Sequence, residues 1–286
     1  VRLDYLVRLA SLERLSDPEM MNELNTQRLR ASAPSPSVEA ILHAILPHRY
    51  VDHTHADAVL AITNTAHGAD RIAEVYGEDT VIVPYVMPGF DLARLCAREF
   101  PRQRNAHTLG MVLMNHGVFS FGDTARESYE RMIALVDRAE RYLKHRKAWS
   151  LPPARAKEPA VSLRAAIASL RRDVWAQAGH PMVLRTSQAP QALEFCRRPD
   201  LAELAEQGPA TPDHSIRTKR VPLLGRDVAA YARAYRRYFD AFEKKSTAPK
   251  TMLDPAPRVV LDPELGLCAA GRGARDAAAA LEIYQH

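Results

Sequence analysis

His53 and His55 stand two residues apart in DHTHADAV (52–59), and two imidazoles at that spacing can grip one metal ion. If YVDHTH is a strand, successive side chains alternate. His53 and His55 then share a face, while Asp52 and Thr54 point the other way. The pair alone is a weak motif, because 11 histidines in 286 residues give about 0.4 such pairs by chance. A third ligand has to come from elsewhere. His116 is the candidate, at the end of an apolar run and just before Gly117, where the missing side chain lets backbone and ion approach closely. Three neutral imidazoles leave one coordination position open, as in catalytic rather than structural zinc sites. Asp52, Asp57 or backbone carbonyls are the acceptors expected for the outer ring nitrogens. His43, His48, His67, His107 and His145 read as ordinary helix, loop and surface residues. Glu39 falls in the first turn of a helix expected to begin at Pro36, where a carboxylate is favoured by the helix N-terminus without needing any further role.

These residues need elements to hold them. PSVEAILHAILPH places Val38, Ile41, Leu42, Ile45 and Leu46 on one helical face, with Ser35 as its expected cap. A strand over YVDHTH follows, then a helix over 56–63. DTVIVPYV (79–86) is a β-branched strand, and FDLARLCAREF (90–100) a short amphipathic helix. LGMVLMNHGVFSFGD (109–123) reads as two strands turning at Asn115-His116-Gly117. Thr124 and Glu127 form a capping-box pattern for a helix running to about residue 148, with Tyr129, Met132, Ile133, Val136 and Leu143 at helical spacing.

The polar, Pro-rich stretch 150–162 predicts a linker, dividing the chain into 1–149 and 163–286. Both parts alternate helix and strand, so the class is α/β. HGVFSFGDTARESYERM and LGLCAAGRGARDAAAAL align without gaps, pairing Gly117 with Gly266 and Gly122 with Gly271. The second part therefore reads as a degenerate repeat in which Leu265 replaces His116.

Hydrophobic residues make up 47% and charged residues 26%, an ordinary globular balance. No apolar run reaches the roughly 18 residues of a membrane span, and the N-terminus carries no secretory signal. Cys96, Cys196 and Cys268 fit a reduced, cytoplasmic protein without a disulfide framework. The net charge of +5 is spread out, which argues against nucleic-acid binding and allows anionic small substrates.

PSVE, DHTHADAV, YVMPGFDLA and MNHGVFSFGDTARESYERM occur in that order, and over roughly residues 35–145 the chain resembles the class II aldolase/adducin family. The likeness is closest to the aldolase part of two-domain rhamnulose-1-phosphate aldolase/alcohol dehydrogenase proteins. GPATPDHSIRTKRVPLL and PAPRVVLDPELGLCAAG resemble the segment that precedes the short-chain dehydrogenase domain in those proteins. The resemblance implies a three-layer α/β/α fold around a central, mostly antiparallel sheet. It implies zinc, or another divalent metal, on His53, His55 and His116, with Glu39 as the proton-transferring group.

The implied reaction is retro-aldol cleavage of a sugar phosphate, a ketose 1-phosphate of the rhamnulose type, to dihydroxyacetone phosphate and lactaldehyde. The family's glycine- and asparagine-containing phosphate loop is not visible, so the N-terminal part of the domain reads as incomplete. Of the serine pair beside the glutamate only Ser37 remains, as the candidate substrate-binding residue. A homo-oligomer, a tetramer in the family, would place a tyrosine such as Tyr85 or Tyr50 in a neighbouring site. NAD(P) enters only if a dehydrogenase domain follows His286, in which case the whole protein's main activity would be oxidoreduction. An adducin-like assembly module without catalysis is the remaining reading.

Overall fold

Apolar side chains alternate across four short strands of the first half, and that alternation decides its layers. The computed structural model describes residues 1–148, 162–246 and 249–286. Contacts divide the chain into a first unit, Val1–Ala148, and a second running to His286. The linker expected at 150–162 falls, all but its last residue, outside the described residues.

The strands of the first unit are β1 (Tyr50–Thr54), β2 (Thr80–Val83), β3 (Gly110–Leu113) and β4 (Gly117–Gly122). They form one sheet in the order β1-β4-β3-β2, with both β4 pairings antiparallel and β2–β3 parallel. Its helices are α1 (Leu3–Leu9), α2 (Asp17–Thr26), α3 (Ala40–Ile45), α4 (Asp57–Thr63), α5 (Gly68–Tyr76), α6 (Phe90–Gln103) and α7 (Ala125–His145). Val81, Val83, Met111, Leu113, Phe119 and Phe121 pack on one face with Leu6, Met20, Leu24, Ile41, Leu42 and Cys96 from α1, α2, α3 and α6. The intervening Val112 and Val118 face Val59, Ile62, Ile72, Met132, Leu135 and Ala139 from α4, α5 and α7. The result is a three-layer α/β/α unit around a mostly antiparallel sheet, as its period-2 apolar pattern requires.

Two local expectations are corrected. No helix begins at Pro36, and Ser35 caps nothing: α3 starts at Ala40, with Glu39 as its N-cap residue. Ser37 Oγ accepts from Glu39 N (3.2 Å) and Ala40 N bonds Ser37 O (3.0 Å), so a local turn takes the backbone groups that an earlier helical turn would need. At α7, Thr124 does accept from Glu127 N (3.1 Å), but the Glu127 carboxylate accepts from Asp123 N (2.8 Å) rather than closing the box. Of the residues expected to line that helix's core face, Tyr129 (62%) and Ile133 (52%) are exposed, and Leu135 and Ala139 are buried with Met132 and Leu143.

The second unit contains α8 (Leu163–Ala178), β5 (Val183–Ser187), α9 (Pro190–Cys196), α10 (Leu201–Ala205), α11 (Pro212–Arg217), β6 (Leu223–Leu224), α12 (Val228–Glu243), β7 (Val259–Asp262), β8 (Gly266–Gly271) and α13 (Ala274–Gln285). Its sheet order is β5-β8-β7-β6, again antiparallel, antiparallel, parallel. Register matches as well: Tyr50 pairs Gly122 where Val183 pairs Gly271, and Leu113 pairs Gly117 where Asp262 pairs Gly266. The repeated glycines have one cause in both units. A Cβ on Gly117 would lie 2.6 Å from Thr54 O, and one on Gly266 would lie 2.4 Å from Ser187 O, the corresponding carbonyl of the neighbouring strand. Cys96, Cys196 and Cys268 are buried free thiols. Among the described residues, no helix is long and apolar enough to cross a membrane.

Candidate metal centre

β1 runs antiparallel to β4, so the end of β1 meets the start of β4, and the turn joining β3 to β4 lies at the same sheet edge. Three imidazoles converge there. The ring centroids of His53 and His55 are 4.8 Å apart, and His116 lies 5.4 Å from the first and 5.1 Å from the second. Glu39, at the start of α3, joins them: one ligand atom from each of Glu39, His53, His55 and His116 falls within 4.8 Å of all the others.

Two of the three rings have specific neighbours that fix them. His53 stacks on Phe119, with centroids 4.0 Å apart and planes 16° from parallel. Its Nδ1 lies 3.0 Å from Val118 O. A carbonyl only accepts, so Nδ1 carries the proton and Nε2 is left with its lone pair. That Nε2 is buried, makes no hydrogen bond and points to a carboxylate oxygen 3.5 Å away. The outer partner of His53 is therefore a backbone carbonyl; Asp52 is exposed on the other side of the strand. His116 is 1% exposed, and its Nε2 donates to Glu39 Oε1 at 2.6 Å.

Burial raises the Glu39 carboxyl, but the His116 hydrogen bond and the adjacent His53 outweigh burial and hold it well below the usual carboxylate range. The carboxylate thus lies where the three imidazoles meet, beside the place a bound cation would take.

This donor set fits a divalent ion. Zinc takes imidazole nitrogen and carboxylate oxygen at about 2.0–2.2 Å, so side-chain shifts of roughly 1 Å close the cluster around one ion. Gly117 is part of the cradle: a Cβ there would also meet His53 Cε1 at 2.9 Å and His55 Cδ2 at 3.0 Å. Since Thr54 O belongs to backbone and cannot swing aside, Gly117→Ala should displace β4 from β1. We expect a loss of roughly 1–3 kcal/mol of stability and weaker metal binding, read by thermal unfolding and chelator competition. Wild-type affinity in that variant would contradict the close packing.

The other site expectations are placed as follows. Ser37 is exposed, and its Oγ is engaged by Glu39 N, two residues from the carboxylate that enters the cluster. Tyr50 opens β1 and so lies at the opposite end of that strand from His53 and His55; Tyr85 follows β2 at the metal edge and is 54% exposed. His43 received no role from its spacing, yet its ring packs edge-on against Phe119 (5.1 Å) behind His53. The signal available was its place one helical turn after Glu39.

The second unit holds no equivalent cluster among its described residues. By register, Thr186 stands for His53, Gln188 for His55 and Leu265 for His116. Where the first unit gathers imidazoles, Arg226 bridges Asp262 (2.8 Å, twice) and Glu264 (2.7 Å). One cation per chain, not two, is expected by elemental analysis against protein concentration.

Comparison with known proteins follows the same division. The family described as Class II Aldolase and Adducin N-terminal domain matches residues 10–143. Aldolase class II, second domain, matches residues 154–286. A curated relative, Uncharacterized oxidoreductase YuxG of Bacillus subtilis (strain 168), is 28% identical over 303 residues, covering 95% of this chain and 42% of that protein. The chain thus spans less than half the length of this relative. A solved N-terminal class II aldolase domain of a conserved protein from Thermoplasma acidophilum is 40% identical, with a TM-score of 0.46 over 50% of this chain and 65% of that one. An aldolase II superfamily protein from Pseudomonas syringae is 15% identical, with a TM-score of 0.34 over 42% and 51% of the two chains.

Proposed function

The chain belongs to the class II aldolase and adducin family, and from that premise we propose that it is a metal-dependent lyase cleaving a ketose 1-phosphate of the rhamnulose type to dihydroxyacetone phosphate and lactaldehyde. The observation that carries this reading is the convergence of Glu39, His53, His55 and His116 within 4.8 Å. The three imidazoles hold the ion, zinc by the preference of an all-nitrogen set with an open position. A bound divalent cation supplies Lewis acidity to the negative charge that gathers on substrate oxygens.

The chain's own residues handle protons and position. Cleavage removes the proton of the C4 hydroxyl, breaks C3–C4, and leaves an enediolate that must gain a proton at C3. In the synthetic direction the Glu39 carboxylate takes that C3 proton; in cleavage the C4 hydroxyl proton leaves to solvent, and Glu39, protonated from solvent in its place, returns one to C3, so that no net proton is gained or lost. Glu39 is placed for this by the position of its carboxylate beside His53 and His116. Phe119 and Val118 O hold His53 in one tautomer and one orientation. Ser37, beside the turn that presents Glu39, contributes to substrate binding. The working form is a homo-oligomer, a tetramer, in which a neighbouring subunit's tyrosine completes the site.

A second reading is favoured by one finding: the matched relative is named an oxidoreductase and extends far beyond the aligned segment. In that reading the chain is the aldolase part of a longer protein whose remaining part oxidises the aldehyde with NAD(P). A cleavage assay on a panel of ketose 1-phosphates, with metal content measured before and after chelation, tests the first proposal. Cleavage that falls with metal content supports it; a metal-free protein of unchanged activity overturns it.

A further inference from the structure

Asn115 adopts a left-handed backbone (φ 57°), shared by only one other described non-glycine residue, Lys147. Asparagine is among the few residues other than glycine that enter this region readily. Its side chain does not turn toward the metal centre. Nδ2 donates to Asn64 Oδ1 at 3.0 Å and approaches Thr63 O at 3.4 Å. Asn64 is the C-cap residue of α4, and α4 begins at Asp57, two residues after His55. Asn115 directly precedes His116. The contact therefore joins the two chain segments that carry the imidazoles: β1 with α4, bearing His53 and His55, and the β3–β4 turn, bearing His116.

Backbone bonds and apolar packing hold the turn itself: Met114 N bonds Val83 O at 3.0 Å, and Met114 packs with Val59 and Ile62 of α4. His116 N bonds Leu113 O at 3.2 Å within the turn itself, and the ring's Nε2 contact runs to Glu39 on a third element. The Asn115–Asn64 pair is thus a direct side-chain link between the turn and the α4 end of the other ligand segment.

We propose that Asn115 is a positioning residue, whose side-chain link to Asn64 sets the angle at which His116 meets the cation and so sets metal affinity. The inference rests on the metal-centre reading above. Asn115→Gly keeps the left-handed backbone without steric cost and deletes the link. Asn64→Ala deletes it from the other side and leaves the turn's backbone unchanged. Zinc affinity by chelator competition and the visible absorption of the cobalt-substituted protein report on the centre without any activity assay.

Each variant should weaken zinc roughly 10-fold, the low end for outer partners of metal ligands, and alter the cobalt spectrum. The double variant should be no weaker than Asn115→Gly alone, since that variant already removes the contact to Asn64 together with the longer one to Thr63 O. Wild-type affinity and spectrum in either variant would overturn the inference, as would losses that simply add in the double variant. Wild-type protein that binds neither zinc nor cobalt would overturn the metal-centre reading itself, an outcome distinct from an intact centre that ignores Asn115.

Discussion

His53→Ala is expected to leave a folded protein that no longer retains its cation and cleaves substrate more than ~100-fold more slowly, beyond the loss an outer partner of a ligand causes, because one of three neutral donors is gone. The ring is packed as well as ligating: it stacks on Phe119 at 4.0 Å and its Nδ1 proton goes to Val118 O. Truncation therefore also leaves a buried acceptor and a cavity, at a stability cost of roughly 1–3 kcal/mol. His43→Ala separates the two effects. His43 packs on the same Phe119 but contributes no ligand atom to the cluster, so its loss should lower stability and leave one cation per chain. Elemental analysis and thermal unfolding of the two variants give the comparison. A His53→Ala protein that keeps stoichiometric metal and wild-type turnover would end the three-imidazole reading.

Glu39→Gln is expected to show the converse: metal retained, turnover reduced. Glutamine matches the carboxylate in shape, and its carbonyl can still accept the His116 Nε2 proton, so the packing around α3 should survive. The three imidazoles stay in place. What is lost is a group that can take and return a proton, and positioned acid–base groups contribute typically about 10²–10⁴-fold. The check is kcat at equal metal content. A fall of less than tenfold would remove Glu39 from the proton transfer. Loss of the metal would instead make the carboxylate a ligand, which its 2.6 Å and 3.5 Å approaches to His116 and His53 make the sharpest alternative outcome.

Much of the frame was legible from residue order. Short apolar runs marked β2, β3 and β4, and the strand containing His53 was readable because β-branched and aromatic residues flank it. The glycine alignment of 117 with 266 and 122 with 271 anticipated two sheets of the same order: Gly117 and Gly266 are forced by a neighbouring strand's carbonyl, Gly122 and Gly271 by the start of the helix that follows. The start of α3 was not legible. Propensity placed it at Pro36, whereas Ser37 and the turn it stabilises moved it to Ala40 and turned Glu39 from a first-turn residue into a cap. At α7 the apolar spacing pointed to Tyr129 and Ile133, but the sheet it packs on selected Leu135 and Ala139 instead.

By itself, residue order determined that two imidazoles share one end of a strand and that a third closes an apolar hairpin, because side-chain direction follows from local backbone period. It could not determine that Glu39 lies 2.6 Å from His116, a residue 77 positions later. That distance depends on Ile41, Leu42 and Ala44 packing α3 onto the face that carries Phe119, and on β1 pairing with β4 rather than with its neighbour in sequence. Pairing and packing are non-local, selected by which apolar surfaces leave water together, and only the folded chain makes that selection.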